Sequence, residues 1–145
     1  MKISTRGRYA LRMMVEIAMH DREEWVSIKD ISERQGISVK YLEQIVTNLT
    51  KSGLLLSSRG PRGGYMLAKN PDEYTAGEIL RVIEGELAPV ACLESGTKLC
   101  ERRGACPTIR FWEGLHQVIN EYVDSVTLQD LLDFCKEGYG YDYSI

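Results

Sequence analysis

Residues 27–52 carry two short amphipathic stretches separated by one glycine, and this arrangement restricts the fold more than any other feature of the chain. Ser27 is placed to cap a helix, with Asp30 three residues on, and Ile28 through Gln35 put Ile28 and Ile31 on one face before Gly36 ends the turn. Ser38 can cap the next helix. In it Leu42, Ile45, Val46 and Leu49 form an apolar stripe, while Lys40, Glu43, Gln44, Thr47 and Asn48 face outward. Two short helices around a tight glycine turn, the second with a polar outer face, describe a helix-turn-helix.

The next fifteen residues separate this pattern from an ordinary helical hairpin. Leu54 to Ser58 and Tyr65 to Ala68 read as two strands around the turn Arg59-Gly60-Pro61-Arg62-Gly63-Gly64, a wing with two arginines at its tip. Before the motif, Tyr9, Ala10, Met13, Met14, Ile17 and Ala18 recur at helical spacing from Gly7 to His20, with Arg6, Arg8 and Arg12 at or before the outer face. After the wing, the capping box Thr75-Ala76-Gly77-Glu78 starts a helix that ends near Glu84, where Gly85 stops it.

A loop of about twenty residues comes next, long enough to suggest a role of its own, and it contains Cys92, Cys100 and Cys106. From Thr108 to Val126, Phe111, Trp112, Leu115, Val118, Ile119, Tyr122 and Val123 give a wide apolar stripe. Such a stripe needs a partner. The same helix of a second subunit is the simplest one, and packing back onto its own domain is the alternative. Thr127 caps a last short helix through Leu128, Leu131 and Leu132, and Gly138 to Ile145 shows no period. The expected fold is mainly α with a small β wing. It divides into a winged helix-turn-helix at 1–85, a cysteine-containing loop at 86–107, a dimerisation helix at 108–126, and a short helix with a tail at 127–145.

Charge is divided between the two halves. Residues 1–70 hold 12 Lys and Arg against 7 Asp and Glu, whereas residues 71–145 hold 6 against 14. A basic front half suits phosphate binding even though the whole chain has a net charge of -3. No apolar run reaches the roughly 18 residues of a membrane span, and the first residues are polar and basic, so a cytoplasmic protein is expected. An enzyme is not expected. There are two histidines, no nucleophile–base pairing, and no lysine or following helix after Gly60–Gly64 to make a phosphate loop.

Ser4, Thr5, Arg6, Lys40 and Arg62 are candidates for phosphate contacts, because hydroxyls and cations near a recognition helix position the protein rather than read sequence. Ser38 is better used as a cap. The stretches 1–10, 30–38, 41–44 and Arg59-Gly60-Pro61-Arg62-Gly63-Gly64-Tyr65 together resemble the Rrf-type winged-helix regulators, a likeness that runs nearly the whole chain. It implies a homodimer on a palindromic operator in double-stranded DNA, acting as a repressor. Glu43 and Gln44 would lie in the major groove and Arg59 would reach the minor groove.

Three soft thiolates on one loop of a cytosolic chain suit metal or redox use better than disulfides. Cluster-binding members of the family carry three cysteines in this loop, so the resemblance implies an iron–sulfur cluster, of the 2Fe-2S kind, on Cys92, Cys100 and Cys106. The fourth ligand is not found. Ile109 stands where one branch of the family has a histidine, and Arg8 where another has an aspartate from the partner. His116 lies ten residues past Cys106, about 10 Å or more along a helix, and reads as a surface residue of the dimer helix. Glu94, Glu101, an exogenous thiol or water are left as completing ligands, and three free thiols are the alternative. Cys135 reads as ordinary packing. A second mode of control is a protein partner such as cysteine synthase, engaging the aromatic tail that ends in Ser144 and Ile145.

Overall fold

A computed structural model describes residues 1–98 and 100–142. Among these residues, six α-helices and a two-stranded antiparallel sheet make a mainly α fold with a β wing. The first helix, α1 (Thr5–Ala18), buries Ala10, Met13, Met14 and Ile17, the apolar positions that its spacing marks for the core.

Helix α2 (Ile28–Gln35) starts at Ser27, whose hydroxyl accepts from the Asp30 amide. It stops at Gly36, whose left-handed backbone at φ 66° is one that glycine adopts without strain. The recognition-type helix α3 (Val39–Lys51) is capped by Ser38 through the Tyr41 amide and buries Leu42, Ile45, Val46 and Leu49. The wing strands β1 (Leu55–Ser58) and β2 (Gly64–Leu67) pair antiparallel, with Leu55 opposite Leu67 and Ser58 opposite Gly64. An additional bridge between Val26 and Tyr65 fastens β2 to the segment that leads into α2.

One buried hydroxyl fixes the base of the wing. Tyr74, with no solvent exposure, donates to the Leu54 carbonyl at 2.6 Å and accepts from the Ala68 and Lys69 amides at 2.8 and 3.2 Å. Burial pushes its phenol above the ordinary tyrosine value, so it stays protonated and donating.

Helix α4 (Ala76–Glu84) begins at the Thr75 cap and ends at Gly85. The loop after it carries two short 3-10 turns, at Ala91–Leu93 and Arg103–Ala105. Helix α5 (Ile109–Ser125) lies along α4, locked by a two-toothed contact from Arg81 to Asp124 and a further bond from Arg81 to Asn120. None of its residues is fully buried.

The last helix departs from the short element expected after Thr127. Thr127 and Asp130 form the reciprocal cap, as their spacing allows, but α6 runs Leu128–Asp142 and so continues through the stretch that shows no apolar period. Its first turns dock Leu128 and Leu132 in the core beside α1, and this anchored start carries the helix beyond its apolar residues. Ser144 and Ile145, the expected partner-binding end, lie outside the described residues. Among the described residues no helix is long and apolar enough to cross a membrane.

Candidate nucleic-acid interface and cysteine loop

Burying Leu42, Ile45, Val46 and Leu49 on one side of α3 forces Lys40, Glu43, Gln44 and Thr47 to the other, where all four are exposed. Glu43 and Gln44 have no side-chain partner among the described hydrogen bonds and ion pairs of the protein. Their acceptor and donor groups are therefore available to base edges.

Arg59 opens the wing turn and Arg62 follows at its apex, both exposed. Arg59 lines a cleft of about 320 Å³ together with Thr47 and Thr50 of α3 and Ser57, Ser58 and Tyr65 of the wing. The wing arginine and the recognition helix thus open onto a common space.

The first turn of α1 approaches from the other end of α3, where the Tyr9 and Tyr41 rings meet edge to face at 5.4 Å. Thr5 is exposed and its hydroxyl accepts from Arg8. Arg6 is half-buried. Ser4 is the N-cap of α1: its hydroxyl accepts from the Gly7 amide and donates to the Glu84 carboxylate. A capping role already occupies Ser4.

Two residues outside the sequence-derived set hold this surface together. Arg12 does not face solvent alone: it donates to the Gln35 side chain at 3.1 Å and to the Gln35 carbonyl, joining α1 to the end of α2. Glu16 is 3% exposed and accepts from Gln35 at 3.1 Å, with Arg34 3.7 Å away and His20 3.4 Å away. Its place inside the Met13–Ile17 stripe is the signal that could have exposed it, since a carboxylate in an apolar face must find partners.

In the loop, Cys92 and Cys106 are half-buried and Cys100 is exposed, and all are free thiols. Among the described residues no three His, Cys, Asp or Glu side chains gather as a metal site. Three thiolates are the right donors for an iron–sulfur group, but in this arrangement they do not meet. The donor chemistry of the loop suits such a group, while the three side chains stand apart in this arrangement.

Cys106 precedes α5. Hydrogen bonds from the Thr108 backbone and then its side chain, with a further one from the Ile109 backbone, hold the thiol below the usual cysteine value. Behind the loop, Glu86 accepts from the Ser95 amide at 2.7 Å, and the Ser95 contacts hold its carboxyl below the usual range. His116 does not stand free on the helix surface. It lines a cavity of about 570 Å³ with Arg81, Glu86, Leu93 and Asn120, between α4, the loop and α5.

A helix-turn-helix followed by a wing, with an open polar recognition face in a basic half, defines the winged helix-turn-helix class of DNA-binding transcriptional regulators. Known proteins bear this out. The family model Rrf2, described as an iron-dependent transcriptional regulator, matches residues 3–133, and the chain belongs to that family. The protein rrf2 of Nitratidesulfovibrio vulgaris is 42% identical over 132 residues, 91% of this chain and 87% of that one. The HTH-type transcriptional regulator IscR of Pectobacterium atrosepticum is 38% identical over 133 residues, 92% and 80% of the two chains. CymR, the global cysteine regulator of B. subtilis, superposes with a TM-score of 0.76 at 39% identity, covering 92% of this chain and 98% of that structure. The family is one of transcriptional regulators and not of enzymes.

Proposed function

We infer that the chain acts as a homodimer that binds a palindromic operator through residues 1–85 and represses transcription. The observation that carries this reading is the shared cleft: Arg59 of the wing and the outer face of α3 open onto the same space, in the half of the chain that is net basic. Lys40, Arg62, Thr5 and Arg6 supply phosphate contacts, Ser4 sets the end of α1 beside them, and Glu43 and Gln44 read bases.

Dimerisation falls to residues 108–126. On α5, Phe111, Val118 and Tyr122 are 63%, 62% and 65% exposed, and with the half-exposed Leu115 they recur at helical spacing on the side turned away from α4. An apolar face of this kind on a helix otherwise locked to its own domain supports the same helix of a second copy as its cover.

Cys92, Cys100 and Cys106 are the groups that receive the signal. Three soft donors in a family described as iron-dependent support an iron–sulfur centre, of the two-iron kind, as that signal. The separated thiols and missing fourth donor support the second reading, in which free thiols respond directly. An absorption spectrum with iron and sulfide analysis on protein purified without oxygen separates the two. Thiolate-to-iron bands with matched iron and sulfide establish the first, and colourless protein that resists reconstitution establishes the second.

DNA binding is tested by titrating an operator duplex with Arg59→Ala and Glu43→Ala. Arg59→Ala is expected to lose about 1–3 kcal/mol of binding with the fold intact, and Glu43→Ala to relax sequence choice. Unchanged binding in both would refute this surface.

A further inference from the structure

Glu84 is the last residue of α4, yet its side chain reaches across to the start of α1. Its Oε1 accepts from the Ser4 backbone amide at 3.0 Å, and the Ser4 hydroxyl donates to the same oxygen. The place is shaped for it. Gly7 is buried, and a Cβ there would stand 2.3 Å from Glu84 Oε1, so the carboxylate and a side chain at position 7 exclude each other. A negative charge at the amide end of a helix is also favoured by the helix dipole.

On the other side of Gly85 stands Glu86, whose carboxylate holds the Ser95 amide, three residues past Cys92. Two carboxylates therefore flank one glycine of positive φ. One grips the cysteine loop and the other grips the first turn of α1.

We propose that Glu84 is a positioning residue that couples the cysteine loop to the DNA-contacting first turn of α1. The proposal rests on the proposed function, in which that turn faces phosphates and the loop receives the signal. With the carboxylate engaged, Thr5 and Arg6 are held in place and a negative charge sits where a phosphate would approach Ser4. When the loop rearranges around Cys92, the pull on Ser95 and Glu86 acts through Gly85 on Glu84, and the grip on Ser4 changes. The two states differ in both geometry and charge at the phosphate side, which gives DNA a reason to prefer one of them.

The test uses full-length protein carrying Cys135→Ser, so that only the loop thiols react, and a duplex enriched from a random pool by unmodified protein. N-ethylmaleimide modification is expected to change duplex affinity by about fivefold or more in this background. In Glu84→Ala the change is expected to fall below about twofold, at a thermal midpoint that confirms folding. Glu84→Gln keeps an acceptor for Ser4 but removes the charge, and is expected to retain a response between those of the parent and Glu84→Ala. Gly7→Ala displaces the carboxylate from the opposite side and is expected to lose it, which guards against misfolding of a single variant. A merely structural role would weaken modified and unmodified protein alike. An undiminished response in Glu84→Ala and Gly7→Ala overturns the proposal alone. A parent that binds the duplex but ignores modification overturns the sensing reading and the proposal with it.

Discussion

Position 106 shows how far single residues control the chemistry of the loop. The Thr108 backbone and hydroxyl lower the Cys106 thiol, so more thiolate is present at a given pH than for an ordinary cysteine. The pH midpoint of Cys106 alkylation, read by mass spectrometry, is therefore expected below that of an ordinary cysteine, and Thr108→Val is expected to move it upward. An ordinary midpoint for Cys106, unmoved by Thr108→Val, would show that these bonds do not form in solution. Caps were the residues most legible in the sequence: Ser27, Ser38, Thr75 and Thr127 each hold the amide their spacing indicated. A cap depends on neighbours within one turn of helix. Glu84, Arg12 and Glu16 act on residues far along the chain, and periodicity carries no record of those partners.

Among elements, the wing and α5 carry the clearest consequences. Tyr74 closes the base of the wing with three hydrogen bonds to backbone groups, the one to the Leu54 carbonyl fully buried. Tyr74→Phe should cost about 1–3 kcal/mol of stability, measured by denaturant unfolding, because three hydrogen bonds are lost and only the long bond from the Ala68 amide to the Leu54 carbonyl, at 3.4 Å, remains. On α5, Val118→Glu with Tyr122→Glu places charge on the outward apolar stripe and leaves the Arg81–Asp124 contact untouched. Sedimentation is expected to show a folded monomer with weakened operator binding; an unchanged dimer would place the interface elsewhere. The elements up to Gly85 fall within a residue or two of where apolar spacing and turn residues put them. Helix α6 does not, since it is nucleated by packing of Leu128 and Leu132 and runs on to Asp142 through a stretch whose sequence shows no period.

Over the whole molecule, the division of charge and the division of labour coincide. The basic half contains the open recognition face and the wing, and the acidic half contains the loop and the apolar stripe of α5. The fold could be read from the sequence because it is built from local signals. The exposed polar face of α3 could be read because an amphipathic helix that buries one face exposes the other. The cysteine loop could not be read to the same depth, because its chemistry depends on how three thiols meet, and spacing alone does not fix that.

The central claim, a dimer reading a two-fold operator, is tested most directly by selecting bound duplexes from a random pool and measuring the mass of the complex. The account predicts an enriched imperfect palindrome, with half-sites about one helical turn or a multiple apart, bound by two copies of the chain. Enrichment of no sequence, or a complex containing one copy on a single half-site, would contradict it.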